Sequence, residues 1–211
     1  MTARAAAPIV CPMTPLLAPT RAAHRTAPVP PLRRIHNPVQ RDWVTFLETS
    51  DETAGRRTVV HLLVAPGGGT LLHTHRSYAE RFAVLDGTLG VQVGKRVSVL
   101  ARGESATAPA GEPHRWFNPG TRPARVLVTL TDGHAGFEQA LRVAYGLARD
   151  GLVDCRGVPR SLSHLAVLLE LSDTEPTGAG RLLAPALRAL ARRARAEGVE
   201  RELVSRYCAA W

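Results

Sequence analysis

Lysine is almost missing from this sequence: Lys95 stands alone among 27 basic side chains, and the rest are arginine. That bias reflects codon usage and says little about chemistry. Cysteine is nearly as scarce. Cys11, Cys155 and Cys208 are odd in number, far apart and without a CxxC pair. They argue against a disulfide framework and a thiolate metal site, and fit a reducing, cytoplasmic compartment. No apolar run reaches the roughly 18 residues of a membrane span, so a soluble protein with no membrane partner is expected. Aromatic residues make up 5% of the chain, and neither basic end interleaves them with arginine as single-strand nucleic-acid binders do.

What is there begins with charge. The formal net charge is +9, but it is unevenly spread. Residues 1–41 hold six arginines and no acid, and residues 181–211 hold seven arginines against Glu197, Glu200 and Glu202, which leaves 14 basic and 15 acidic side chains between them. The middle is near neutral. Basic ends of this kind are read as solvated or partner-facing, and no nucleic-acid partner is expected.

The 211 residues suffice for one domain with extensions. Three regions emerge. Residues 1–34 are rich in Ala, Pro and Arg, show no sustained apolar period and are expected to be disordered. Pro8, Pro12 and Pro15 break the best apolar stretch, which argues against a signal peptide, and Val10 before Cys11 argues against a lipoprotein. A misassigned start codon explains the segment equally well. Residues 35–132 read as short strands divided by turns: WVTFLE, RTVVHLLVA, RFAVLD, TLGVQV, KRVSVL, HRWFN and ARVLVTLT. Many short strands at close spacing predict a sandwich or barrel. From 133 to 211 the period becomes helical. HAGFEQALRVAYGLARD places Phe137, Leu141, Ala144, Tyr145 and Ala148 on one stripe, and SLSHLAVLLEL and RLLAPALRALARRARAEG follow the same rule, with Pro185 in the first turn of the latter. These stripes must be buried on the barrel, on each other or on a second subunit.

Within the strand region, GGGTLLHTHRSYAERFAVLDG carries chemistry-bearing residues at close spacing. Residues i and i+2 of a strand share a face, about 6 to 7 Å apart, so His73 and His75 can aim both imidazoles at one point. Glu80 can add a carboxylate from the next strand. The glycines ahead of the histidines permit a tight turn that bulkier residues would obstruct.

This stretch resembles the cupin superfamily. The first cupin motif, G(X)5HXH(X)3-4E(X)6G, is met by Gly67, His73, His75, Glu80 and Gly87, and the second, G(X)5PXG(X)2H(X)3N, by Gly103, Pro109, Gly111, His114 and Asn118. The resemblance covers roughly residues 57–131. It implies a mainly β fold, a double-stranded β-helix or jelly-roll barrel, here followed by an α-helical tail outside the motifs. It also implies that His73, His75, Glu80 and His114 are the metal ligands. Three imidazoles and a carboxylate suit one divalent transition metal, with iron(II) favoured and manganese, nickel, copper or zinc accepted by the same donors. Open positions in a six-coordinate shell are what catalysis needs. The expected activity is that of a dioxygenase-like oxidoreductase on a small organic molecule, with Glu80 either staying ligated or leaving to act as base. A redox-neutral isomerase or cyclase using the metal as a Lewis acid, and a non-catalytic sensor, are the alternatives. Cupins often pair through their sheets, so a homodimer is expected from the resemblance.

Other positions carry lesser expectations. Trp116 and Phe82 each lie two residues beyond a proposed ligand and should share its inward face, as pocket lining or, by preference, as core. Tyr78 and Arg76 sit in a turn near a mouth, where they either meet a polar substrate or are simply exposed. His61 either faces the cavity or is packed or at the surface, the latter being favoured. Asn118, Pro109 and the motif glycines are expected to shape turns. The arginines 192, 193 and 195 read as a solvated helix face, and His24, His36, His134 and His164 show no ligand spacing.

Overall fold

Alternation of buried and exposed side chains builds most of the strands in the computed structural model, which describes residues 33–208. The expected disorder of residues 1–34 falls outside those residues except at Arg33 and Arg34. Strands β1 (Arg34–Asn37), β2 (Asp42–Glu48), β3 (Arg57–Val64), β5 (Ala79–Asp86), β8 (Ser105–Ala108) and β10 (Ala124–Thr131) form an antiparallel sheet in the order β1-β2-β3-β10-β5-β8. A smaller sheet has the order β7 (Arg96–Ala101), β6 (Thr88–Val93), β9 (His114–Phe117). In β10 the pattern is strict: Ala124, Val126, Val128 and Leu130 are buried while Arg125 and Thr131 are exposed. That is the period of a strand with one face in a core. Val44, Phe46, Val60, Leu62, Phe82 and Leu89 belong to the single apolar cluster between the two sheets. The fold is a cupin-like β barrel followed by helices, as the strand pattern and motifs imply.

Four strands have no counterpart in the sequence reading. The tetrapeptide SATA of β8 has no large apolar residue to reveal alternation. Strand β4 (Thr74–His75) pairs with β11 (Thr174–Glu175), and two residues are too few to show any period. β1 is a four-residue edge strand whose register on β2 runs from Arg34 opposite Thr45 to Asn37 opposite Asp42.

The helical region comprises α1 (Ala135–Arg149), α2 (Leu162–Leu171), a 3-10 segment (Gly178–Leu183), α3 (Ala184–Ala196) and α4 (Val199–Cys208). His134 caps α1 by accepting from the Phe137 amide, and Ser161 caps α2 through the His164 amide. Helix α1 departs from the single stripe expected of it. Phe137, Leu141, Ala144 and Tyr145 face the barrel, whereas Ala140, Val143, Leu147 and Ala148 belong to a second cluster with α2 and α4. It is a central helix, not a surface one. Two buried carboxylates fasten it: Glu138 accepts from the Ser50 amide at 2.6 Å and the Thr58 hydroxyl at 2.7 Å, and Asp42 accepts from the Tyr145 hydroxyl. Among the described residues, no helix is long and apolar enough to cross a membrane.

Candidate metal centre

The Gly67–Gly69 run owes its glycines to crowding as well as to turning. A Cβ at Gly68 would stand 2.7 Å from the Gln40 carbonyl oxygen, and one at Gly69 would stand 2.8 Å from that of Trp116. The chain can therefore lie close against β9, which it meets antiparallel at the bridges Gly69 to Phe117 and His73 to His114. Reciprocal backbone bonds of 3.0 and 2.8 Å join His73 to His114. The second motif closes on the same place, since the Gly111 amide donates to the His75 carbonyl at 2.7 Å. All four motif glycines, at 67, 87, 103 and 111, have φ between +71° and +87°, where a side chain is strained. Asn118 shapes its turn as expected, donating to the carbonyls of Val64 and Arg122 and accepting from the Gly120 amide.

This folding brings together all four residues named from the motifs. One ligand-type atom from each of His73, His75, Glu80 and His114 lies within 4.8 Å of every other. Glu80, the second residue of β5, sets Oε2 at 3.0 Å from His114 Nε2 and 3.9 Å from His75 Nε2. His75, Glu80 and His114 are buried; His73 is half-buried.

The imidazoles can be assigned tautomers from their partners. His73 Nδ1 lies 2.8 Å from the Leu71 carbonyl oxygen and His114 Nδ1 lies 2.9 Å from that of Glu112, so both Nδ1 atoms carry hydrogen. His75 Nδ1 meets the Tyr78 hydroxyl at 2.8 Å and the Thr174 hydroxyl at 3.0 Å. Tyr78 spends its own hydrogen on the Ser172 carbonyl at 2.7 Å, so its oxygen accepts from His75. Every Nε2 is thereby the inward nitrogen. His75 Nε2 is buried without any hydrogen-bond partner, a costly state unless a cation accepts its lone pair.

Electrostatics point the same way. Burial holds the His75 imidazole down to about 3, which keeps it neutral. Burial also opposes charge on Glu80, but the His114 hydrogen bond and the neighbouring imidazoles bring its carboxyl down to about 2. Burial disfavours a charged His114, yet the bond and charge of Glu80 outweigh it and raise the imidazole above its ordinary value. The proton held between His114 and Glu80 is the one a cation would displace, because metal ligands must be deprotonated. The donor set and the orphaned nitrogen thus fit a divalent transition metal.

Residues 60–130 match the family model for the Cupin domain. The chain carries a cupin domain. The alginate biosynthesis protein AlgA of Pseudomonas putida is 31% identical over 101 residues, covering 48% of this chain and 20% of that protein. The mannose-1-phosphate guanylyltransferase of Escherichia coli is 28% identical over 111 residues, covering 53% of this chain and 23% of that enzyme. The chain thus spans about a fifth of the length of these curated relatives. An RmlC-like cupin from Shewanella frigidimarina is 19% identical, with a TM-score of 0.43 over 49% of this chain and 86% of that one.

The cupin barrel does not form the site alone. His73, His75 and Glu80 stand in the wall of a cavity of about 270 Å³ whose other walls come from both halves of the chain. Val60, Leu62 and Trp116 line it from the barrel, and Phe137, Leu141 and Leu168 from the helices. Trp116 is buried in the barrel core, as preferred, and also lines the pocket, while Phe82 is wholly buried in the core. His61 lies outside the cavity wall, between the inward-facing Val60 and Leu62. Tyr78 corrects its expectation, being 2% exposed and hydrogen-bonded to His75. Arg76 is exposed, but its guanidinium is tied to Asp173. Arg193 and Arg195 lie on an exposed helix face and pair with Glu197 and Glu200. Ser172 and Thr174 escaped sequence reasoning altogether, since nothing in their surroundings signals a partner 99 residues away.

Proposed function

We propose that this protein is a metal-dependent enzyme, an oxygenase by class, acting on a small and largely apolar organic molecule. The observation that carries this reading is the placement of His73, His75 and Glu80 in the wall of an apolar cavity roofed by helices. Bound by these residues and His114, a divalent transition metal supplies Lewis acidity and, where redox-active, electron transfer to dioxygen. The chain supplies the rest. Three imidazoles held in one tautomer keep the donor set ordered, and Glu80, the carboxylate of the set in the cavity wall, supplies its anionic oxygen. At about 270 Å³ the cavity lies at or just below the small end of ligand pockets, which run roughly 300 to 1,000 Å³. Arg156, exposed at its rim, is the one arginine in the wall among the described residues, so an acidic end on the substrate would have a partner there.

The test has two stages. Elemental analysis of the purified protein beside a His73→Ala, His75→Ala double variant should find about one equivalent of a transition metal in the first and little in the second. The iron-loaded protein is then screened in an oxygen electrode against neutral and acidic apolar compounds small enough for the cavity. Turnover with oxygen uptake supports the oxygenase. Turnover without it moves the protein to the redox-neutral isomerases and cyclases, and saturable binding of an unchanged compound makes it a sensor. Absence of metal after reconstitution overturns the metal-dependent reading.

A further inference from the structure

Helix α1 meets the metal site by apolar packing, Phe137 standing edge-on to His75, and the turn after α2 meets it by hydrogen bonds. After α2 the chain turns through Asp173, whose φ of +50° is rare for a residue with a side chain. It then adds β11 to β4, with Thr174 opposite His75 and Glu175 opposite Thr74. The turn is clamped from the barrel side: the Arg76 amide donates to the Asp173 carbonyl at 3.0 Å, and the Arg76 guanidinium pairs with Asp173 and approaches Glu170 and Glu175 at 3.9 Å. From this turn a directed chain of hydrogen bonds runs outward from His75. Nδ1–H of His75 is shared by the oxygens of Tyr78 and Thr174, and Tyr78 donates to the Ser172 carbonyl. Thr174 donates to the Ser172 hydroxyl at 2.7 Å, which donates in turn to the Leu168 carbonyl of α2 at 2.7 Å. Each donor in the chain has an acceptor, and the Ser172 carbonyl lies within 3.3 Å of the Thr174 hydroxyl as a second one. The chain holds His75 with hydrogen on Nδ1 and its lone pair on Nε2, facing Glu80.

We propose that Thr174, with Ser172 and Tyr78, is a positioning device through which docking of the C-terminal helices and metal binding at the barrel are coupled. The inference rests on the metal reading above. Coupling of this kind is reciprocal: if the docked tail raises metal affinity, metal must stabilise the docked tail by the same factor. Neither half of that statement follows from a cupin barrel alone, because the hydroxyl and the carbonyl belong to the tail.

Zinc(II) binding is measured by competition with a chromophoric chelator in the full chain. A Tyr78→Phe, Thr174→Val double variant, which removes both hydroxyl acceptors of His75 Nδ1–H and leaves it only the Ser172 carbonyl, should bind zinc more weakly by roughly 10-fold or more, as when outer partners of a metal-binding imidazole are lost. Restoring the hydroxyl as Thr174→Ser, in the presence of Tyr78→Phe, should recover most of the affinity. A role limited to packing would lower thermal stability and leave affinity unmoved. The second measurement needs no variant: hydrogen exchange of the wild-type chain with and without zinc. Amides of residues 172–175 should exchange roughly tenfold more slowly in zinc, since protection reports local opening. If the wild type binds zinc but neither affinity nor exchange responds, the coupling is wrong and the metal site stands. If the wild type binds no zinc, both fall together.

Discussion

His73 and His75 are two residues apart and converge on one point, yet they are held in different ways. The Nδ1 of His73, like that of His114, rests on a backbone carbonyl two residues upstream, at Leu71 and Glu112. Any residue at those positions offers the same carbonyl. The Nδ1 of His75 rests on two side-chain hydroxyls, one of them from the far end of the fold. The first arrangement is complete once the local backbone turns correctly. The Thr174 half of the second exists only when the tail is seated, so the orientation of His75 draws on the whole molecule while that of His73 and His114 draws on the barrel.

The largest effect should come from the ligands themselves. Alanine at His73, His75 or His114 is expected to reduce zinc affinity by roughly 100-fold or more, beyond the loss of any outer partner, in chelator competition. Comparable losses at all three would make the contrast one of support rather than of function. Retention of zinc by His75→Ala would end the comparison, because the tail would then be orienting a residue that binds nothing.

Comparable in size are the effects at the two carboxyl groups that seat the tail. Burial pushes the Asp42 carboxyl up to about 7, against the opposing effect of its bond from Tyr145. The folded state therefore holds this proton more tightly than the unfolded chain does. The stabilisation is full below the ordinary carboxylate range and is lost as pH rises to about 7, by up to about 4 kcal/mol at about 1.4 kcal/mol per pKa unit. Urea unfolding at pH 5 and pH 8 should show that decline, and Asp42→Asn should flatten it. An unchanged slope in the variant would place the pH dependence elsewhere. Glu138→Ala should cost about 3 kcal/mol in the same assay, because the buried Ser50 amide and Thr58 hydroxyl lose their acceptor. Glu138→Gln, which keeps one acceptor oxygen, should cost less.

The barrel was legible because its information is local. Strict alternation marks β10 and the second half of β3, and positive-φ glycines and Asn118 mark the turns that bring two motifs together. The helices α1 and α2 were legible for the same reason, having caps and apolar periods of their own. What escaped was tertiary. Helix α1 shows one expected stripe because its second face, Ala140, Val143, Leu147 and Ala148, gains meaning only from the other helices packed on it, while the buried Glu138 and Arg142 turn to Thr58 and Phe46 of the barrel. Strands β4 and β11 define each other and have no pattern apart from the pairing. Tyr78 lies in the variable gap of the first motif, where any residue is permitted, and only the position of Ser172 and Thr174 turns it from an exposed tyrosine into a support for His75.

The smallest effect tests the local half of the contrast. Leu71 is 42% exposed, and its carbonyl, not its side chain, meets His73. Leu71→Ala keeps that carbonyl, so zinc affinity should stay within about twofold of the wild type, in line with surface substitutions that change free energies by less than about 0.5 kcal/mol. Leu71 also lines the cavity, so binding of an apolar compound can weaken in the same variant while zinc binding holds. A tenfold loss of zinc would show that the Leu71 side chain keeps the backbone in place, and that His73 depends on packing around it as His75 depends on the tail.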